Sequence, residues 1–338
     1  MPIRAFITGC AGPVLSAYET AFIRQAEPWG LILFKRNVET PQQVFALTEA
    51  FRTAVGRADA PVLVDQEGGR VQRLGPPHWR AYPSAGLLGA IAGEPWQRAA
   101  RVRLAARLMA HDLRAVGITV DCMPVLDVPV AGAHAVIGDR AYADTAELIA
   151  RLGRAAAEGM LAGGVMPVIK HVPGHGRAGA DSHHALPVVD ADRAALDAQD
   201  FLPFRVLADM PAAMTAHVVF TALDRRRPAT TSRRVVRDVI RGAIGFQGLL
   251  MSDDLSMQAL SGSLRERAAA ALRAGCDIGL HCNGILAEME QVAEAVPVLA
   301  GAARRRAAVA LARIAHAVEP LDPVDAAAQL DAALAAGS

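Results

Sequence analysis

Asp181 and His183 lie two positions apart in the segment MPVIKHVPGHGRAGADSHHALP, residues 166–187. In extended backbone, side chains at i and i+2 point the same way. A carboxylate beside an imidazole orients the ring and raises its basicity, which is the pairing general acid–base catalysis uses. Asp253 ends the apolar run Gly248-Leu249-Leu250-Met251 with no basic residue beside it. It could serve as nucleophile, general base, metal ligand or anchor for a sugar hydroxyl. Lys170 and His171 end another apolar run, 165–169. Of the chain's 35 Lys and Arg residues only Lys35 and Lys170 are lysines. Where arginine supplies nearly every cation, Lys170 reads as selected for a compact ammonium. Pro173, Gly174, Gly176 and Gly179 stop helix and strand alike, so the dyad is expected to ride on a movable loop.

These groups need a frame, and the hydrophobic pattern supplies one. Short apolar runs alternate with helical spacing along the chain. The strand candidates are 4–8, 30–34, 61–64, 118–125, 165–169, 212–216, 248–251 and 277–280. Helices are expected at 15–27, 41–55 (capped by Thr40, with Pro in the first turn), 95–116, 145–162, 192–207, 232–244 and 264–274. Continuous apolar strands alternating with helices imply a parallel sheet covered on both faces. Eight such units predict a single closed (β/α)₈ barrel, a TIM barrel of the α/β class, over residues 1–320. An Ala-rich tail, 321–338, follows. An open doubly wound sheet would place a glycine-rich phosphate loop after an early strand, and no GxGxxG occurs there. Asp65, Asp127, Lys170, His171, His217 and Asp253 all fall just after strands, where barrels of this kind build their active sites.

Composition narrows the classes. The 338 residues are 52% hydrophobic with a formal net charge of +1, which suggests neither nucleic acid nor an anionic membrane as partner. Cys10, Cys122, Cys276 and Cys282 form no CxxC pair, and their apolar settings read as reduced thiols of a cytoplasmic protein. The N-terminal MPIRAFITGCAG does not read as a signal peptide, and no apolar run is long enough to span a bilayer.

Three kinds of function compete on these residues. The first is glycosidic bond cleavage, with Asp253 as nucleophile and His183 as proton donor. The second is a metal-dependent hydrolase. It needs ligands after the first strand, where Ile7-Thr8-Gly9 offers none, and Pro173 and Gly174 forbid the helix that would align His171 with His175 on a zinc ion. The third is a non-catalytic sugar-binding barrel, which has no use for an Asp–His pair on a mobile loop.

Four segments carry a family resemblance. Lys170-His171-Val172-Pro173-Gly174-His175-Gly176 with Asp181-Ser182-His183 resembles the signature loop of the bacterial β-N-acetylhexosaminidases (β-N-acetylglucosaminidases) of glycoside hydrolase family 3, the NagZ type. Residues 64–73, VDQEGGRVQR, are similar to a second motif of that group. Residues 248–257, GLLMSDDLSM, are similar to the motif around its nucleophile, and Ile32–Asn37 is also family-like. The chain departs from the pattern at Val172, where the family often has Phe. The resemblance runs from about residue 5 to about residue 300.

It implies a retaining enzyme. Asp253 would form a covalent glycosyl-enzyme, and His183 paired with Asp181 would be general acid and base. Asp65, Arg73, Arg140, Lys170 and His171 would hold the N-acetylglucosamine ring. The implied substrate is N-acetylglucosamine-1,6-anhydro-N-acetylmuramic acid, with or without stem peptide, met in cytoplasmic cell-wall recycling. No metal or organic cofactor is implied. The partner is the small-molecule substrate, with no nucleic acid or membrane, and the protein is expected to be a monomer.

Overall fold

A strand that is apolar on both faces is stable only between two layers, and eight of them in one chain can cover each other by closing a ring. The structure, a computed structural model, describes residues 2–182 and 184–336. Its centre is a closed barrel of eight parallel strands: β1 (Arg4–Thr8), β2 (Pro28–Leu33), β3 (Val62–Val64), β4 (Val120–Asp121), β5 (Met166–Val172), β6 (Ala212–Thr215), β7 (Leu249–Asp254) and β8 (Ile278–Leu280). Each strand pairs with the next in sequence, and β8 closes on β1 with Phe6 opposite Gly279 and Ile7 opposite Leu280. All residues of β2, β3, β5 and β6 are buried, as continuous apolar runs require. The predicted (β/α)₈ barrel is the observed one.

Helices after the strands form the outer layer, and their ends follow local chemistry. Ser16 and Glu19 make a capping box on Ala17–Ala26. Thr40 accepts from Gln43 N ahead of Pro41–Val55, and Gly56 ends that helix at φ 68. Ser263 and Glu266 box Leu264–Ala274. These caps satisfy backbone N–H groups that a helix start leaves without partners.

Several elements add detail to the sequence reading. The fourth strand was expected over 118–125, but regular pairing holds only at Val120–Asp121. Pro124 has no N–H for the ladder, and pairing resumes as a bridge between Val125 and Lys170. The helix expected over 192–207 is Arg193–Ala195, a wider turn over Leu196–Asp200, then Leu202–Val206. Pro203 cannot donate to the carbonyl four residues back, and the i→i+5 turn absorbs that missing bond. The Ala-rich segment after residue 320 contains the helix Pro323–Ala335, which buries Ala326 and Leu330 and pairs Asp331 with Arg80. Among the described residues no helix is long and apolar enough to cross a membrane.

Candidate active site

The loops at the C-terminal ends of the strands surround a cavity of about 200 Å³. Asp65, Arg73, Arg140, Lys170, His171, Asp181 and Asp253 all line it. Side chains from four separate strand ends and the loops that follow them thus meet in one place. His183 lies outside the described residues.

The loop after β3 shows how sequence produces this convergence. Gln66–Gly68 pairs antiparallel with Val71–Gln72. Gly68 and Gly69 make the turn at φ 89 and 57, a region side chains rarely adopt. A Cβ on Gly68 would also meet Pro83 O at 2.2 Å. Gln66 Oε1 accepts from the N–H groups of Arg73 and Leu74 at 2.9 and 3.0 Å. The hairpin therefore returns Arg73 to the strand end it left, where it donates to Asp65 Oδ2 at 3.1 Å.

A buried charge cluster forms the cavity floor. Lys170 Nζ donates to Asp65 Oδ1 at 2.9 Å and lies 2.6 Å from Glu67 Oε1. Arg140 grips both oxygens of Glu67 at 2.8 Å. Burial alone would raise the carboxyl pKa values. For Asp65 the Lys170 ammonium, with Arg73, outweighs burial and holds the acid below its ordinary range. For Glu67 the same ammonium, with Arg140, brings it down to about 2. Burial would pull Lys170 down, but the two carboxylates drive it above its usual value. All these groups stay charged across the neutral range, which is how so polar a cluster persists beneath a cavity. The Nε of Arg73 is buried and has no hydrogen-bond partner among the described residues.

Asp127 anchors the loop after β5. Its Oδ2 is 2.7 Å from His171 Nδ1, and its Oδ1 accepts from the backbone N–H groups of His171 and His175 at 3.2 and 2.6 Å. Burial would raise Asp127, but the neighbouring His171 leads the effects that bring it below its usual range. The His171 and His175 rings meet edge to face at 5.7 Å. Burial, then His171, lowers His175 to about 4. Gly176 lets the loop lie against Val128, whose carbonyl oxygen would be 1.9 Å from a Cβ there. At its far end the loop meets the segment after β7, where Ala259 N–H donates to Ser182 O at 3.2 Å. Val172, the departure from the family pattern, is buried at the base.

Asp253 and Asp254 both border the cavity, so adjacency at a strand end does not turn one of them away. Their hydrogen bonds separate them. Asp254 Oδ1 accepts from the N–H groups of Ser256 and Cys282 at 3.0 and 3.2 Å, and its Oδ2 takes Ser256 Oγ at 2.6 Å. Among the described residues Asp253 accepts one bond, from the Asp254 N–H to Oδ1 at 2.8 Å. Burial would raise Asp253, but His217, His171 and Lys170 hold it below its ordinary value. His217 is fixed in turn by Thr230 Oγ1 at 2.7 Å and Asp254 O at 2.9 Å. Asp253 is thus an ionised carboxylate facing the cavity, and Asp254 is a structural clasp.

Sequence reasoning did not single out Glu67, although it joins Lys170 to Arg140. The signal was present: Glu67 is two residues from Asp65 at a strand end, so both carboxylates face one way. Phe34 was also missed. Its ring lies under both Arg36 and Arg73, at 5.1 and 5.2 Å, where cation–π contact steadies the Arg73 guanidinium. Among the described residues no three His, Cys, Asp or Glu side chains are placed to hold a metal ion.

The parallel eight-stranded barrel thus places an ionised Asp, a charge cluster and a histidine-bearing loop at its C-terminal mouth, the face where barrels of this kind do their chemistry. Residues 15–317 match the glycosyl hydrolase family 3 N-terminal domain, and the chain belongs to that family. It is 41% identical to the β-hexosaminidase of Alkalilimnicola ehrlichii over 288 residues, 84% of this chain and 82% of that one. It is 42% identical to the β-hexosaminidase of Methylococcus capsulatus over 276 residues, 80% of each. Its fold superposes on NagZ of Neisseria gonorrhoeae in complex with N-trifluoroacetyl-D-glucosamine with a TM-score of 0.83 and 31% identity, covering 100% of this chain and 98% of that one. The chain is a glycoside hydrolase of β-hexosaminidase type.

Proposed function

We propose that this enzyme removes terminal β-linked N-acetylglucosamine with retention of configuration, from N-acetylglucosamine-1,6-anhydro-N-acetylmuramic acid with or without stem peptide. The observation that carries the mechanism is the contrast between Asp253 and its neighbour. One carboxylate is ionised and, among the described residues, has an oxygen without a hydrogen bond, while the next has both oxygens engaged.

Asp253 attacks the anomeric carbon while the glycosidic oxygen leaves with a proton from His183. Water then gives a proton to His183 and attacks the same carbon, releasing the sugar and restoring the carboxylate. Asp181 orients the imidazole. Retaining glycosidases ordinarily use two carboxylates in these roles. An imidazole with an ordinary pKa near 6.5 needs less tuning to do the second job at neutral pH. Asp65, Arg73, Lys170, His171 and Arg140 hold the sugar hydroxyls and acetamido group, and the buried Arg73 Nε, without a partner among the described residues, offers one donor for that purpose. The narrow cavity suits a single terminal ring. No metal or organic cofactor enters the scheme. The setting is cytoplasmic peptidoglycan recycling, and the enzyme acts as a monomer on a small molecule, without nucleic acid or membrane.

A matched pair of aryl sugars tests this reading. The β-N-acetylglucosaminide should be hydrolysed and the β-glucoside left nearly untouched. Equal rates would remove the N-acetyl preference. Activity should also survive exhaustive chelation, and loss of activity restored by zinc would favour a metallohydrolase.

A further inference from the structure

A second cleft, of about 910 Å³, opens beside the active site between the loop after β6, the loop after β7 and the helix Leu264–Ala274. The two cavities share a rim. Ser182 and Met257 line the first, and Ala259, hydrogen-bonded to Ser182 O, lines the second. Arg226, Arg227, Arg233 and Arg273 line the cleft and are exposed. Their guanidinium groups have no hydrogen-bond or ion-pair partner among the described residues.

Exposed arginines without a partner among the described residues also occur elsewhere, as at Arg24 and Arg151, but here four of them line one concave wall. Elsewhere arginines such as Arg103, Arg154 and Arg193 are paired with carboxylates even at the surface. The nearby acids are already engaged. Glu266 accepts from Ser263 N and Oγ at 2.8 and 2.9 Å as the helix cap. Asp224 accepts from Arg226 N–H at 2.9 Å and Ser232 Oγ at 2.7 Å. The whole molecule carries only +1, so the cleft is a local concentration of charge. Like charges along a concave wall repel one another and focus their field outward, which favours a ligand with several negative groups. Guanidinium forks match carboxylates in particular. Leu186, Pro228 and Leu260, also in the lining, offer apolar contact to aliphatic segments between those carboxylates.

We propose that this cleft binds the leaving-group half of the substrate when that half carries an acidic peptide. The terminal sugar occupies the first cavity, and the peptide crosses the shared rim so that its carboxylates meet the arginine wall. The proposal rests on the hexosaminidase reading above and names the chemistry of the aglycone that site prefers.

Replacing Arg226, Arg227, Arg233 and Arg273 together with alanine tests it. Three substrates are compared: a neutral aryl β-N-acetylglucosaminide, the disaccharide bearing an acidic peptide, and the same disaccharide with the peptide carboxylates amidated. KM for the acidic substrate should rise about tenfold, the sum of several weak exposed pairs, with kcat within about twofold. The neutral and amidated substrates should be unchanged, which also reports correct folding. In the parent enzyme, salt should raise KM for the acidic substrate alone. An equal loss on all three substrates, or no loss on the acidic one, overturns the proposal. So does competition by a single-stranded oligonucleotide as strong as that by the acidic peptide at about 0.15 M salt. If the parent enzyme does not cleave the aryl sugar, the active-site reading itself has failed. If it does cleave it and selectivity ignores charge, only the cleft has.

Discussion

Glu67→Gln tests how the active-site floor is held together, because it keeps the shape of the side chain and deletes its charge. Glu67 is 4% exposed, lies 2.6 Å from Lys170 Nζ and holds Arg140 through two bonds of 2.8 Å. The variant leaves Lys170 with Asp65 alone and takes from Arg140 its carboxylate partner. Removing one partner of a buried ion pair costs about 3–5 kcal/mol, since the other charge stays buried. The pH linkage gives a similar size. Glu67 falls from its ordinary 4.5 to about 2 in the fold, and about 1.4 kcal/mol per pH unit makes that roughly 3 kcal/mol. At about 2 °C per kcal/mol for a large domain, Tm at neutral pH should fall by about 6 °C.

The sign of the pH dependence follows from the same shift. A carboxyl held lower in the fold than in the unfolded chain stabilises fully above its unfolded value, 4.5 here, and loses that contribution as pH falls toward about 2. The Tm gap between parent and variant should therefore be constant from neutral pH down to about 5 and shrink below 4.5. Thermal unfolding followed by circular dichroism across that range measures it. A second cycle with Lys170→Met should show coupling of about 1 kcal/mol or more, because the two side chains touch. A neutral-pH gap under about 1 °C, or a gap that does not narrow in acid, refutes the claim that a buried ion network organises the floor.

Three further outcomes are expected. Asp253→Asn should abolish turnover while leaving the fold intact by circular dichroism, and a fluorinated sugar should label Asp253 of the parent; a label on Asp254 would reverse the assignment. His183→Ala should slow disaccharide cleavage by roughly 10²–10⁴ yet spare glycosyl-enzyme formation from a dinitrophenyl sugar, with azide rescuing its breakdown. A uniform loss across leaving groups would retire the acid–base role. Gly176→Ala should destabilise by about 1–3 kcal/mol through overpacking against Val128 O and lower kcat/KM, and parent-like unfolding and kinetics would show that the loop base is not closely packed.

Much of the barrel was legible because burial on both faces forces a strand to be apolar throughout, and that constraint is written locally. Asp65, Lys170 and Asp253 stood out for the converse reason: each interrupts or ends such a run, where a charge costs free energy unless it is used. What local sequence does not encode is who pays that electrostatic cost. Glu67 looks like one acid in a glycine-rich loop until the Gly68–Gly69 turn folds the hairpin back and β5 brings Lys170 beneath it from about a hundred residues away in sequence. The ladder of β4 turns irregular past Asp121 around Pro124, an ordinary member of an apolar run by hydropathy that lacks an N–H, although the Cys122 N–H still reaches Val64 O.

The choice between Asp253 and Asp254 shows the same limit most clearly. Alternation along a strand argues that only one of two neighbours can face a ligand, yet both border the cavity. The strand-pairing register between β7 and β8 shifts between Met251 and Asp254, and a shift of that kind removes the strict alternation on which the argument depends. The two acids differ instead in what surrounds them. Ser256, two residues on, and the Cys282 N–H, delivered by the following strand, engage Asp254. His217, delivered by the preceding strand, supports the ionised form of Asp253. The proposed nucleophile is thus distinguished from its neighbour by partners on two other strands, so the proposal rests on the closed barrel and not on the segment that contains Asp253.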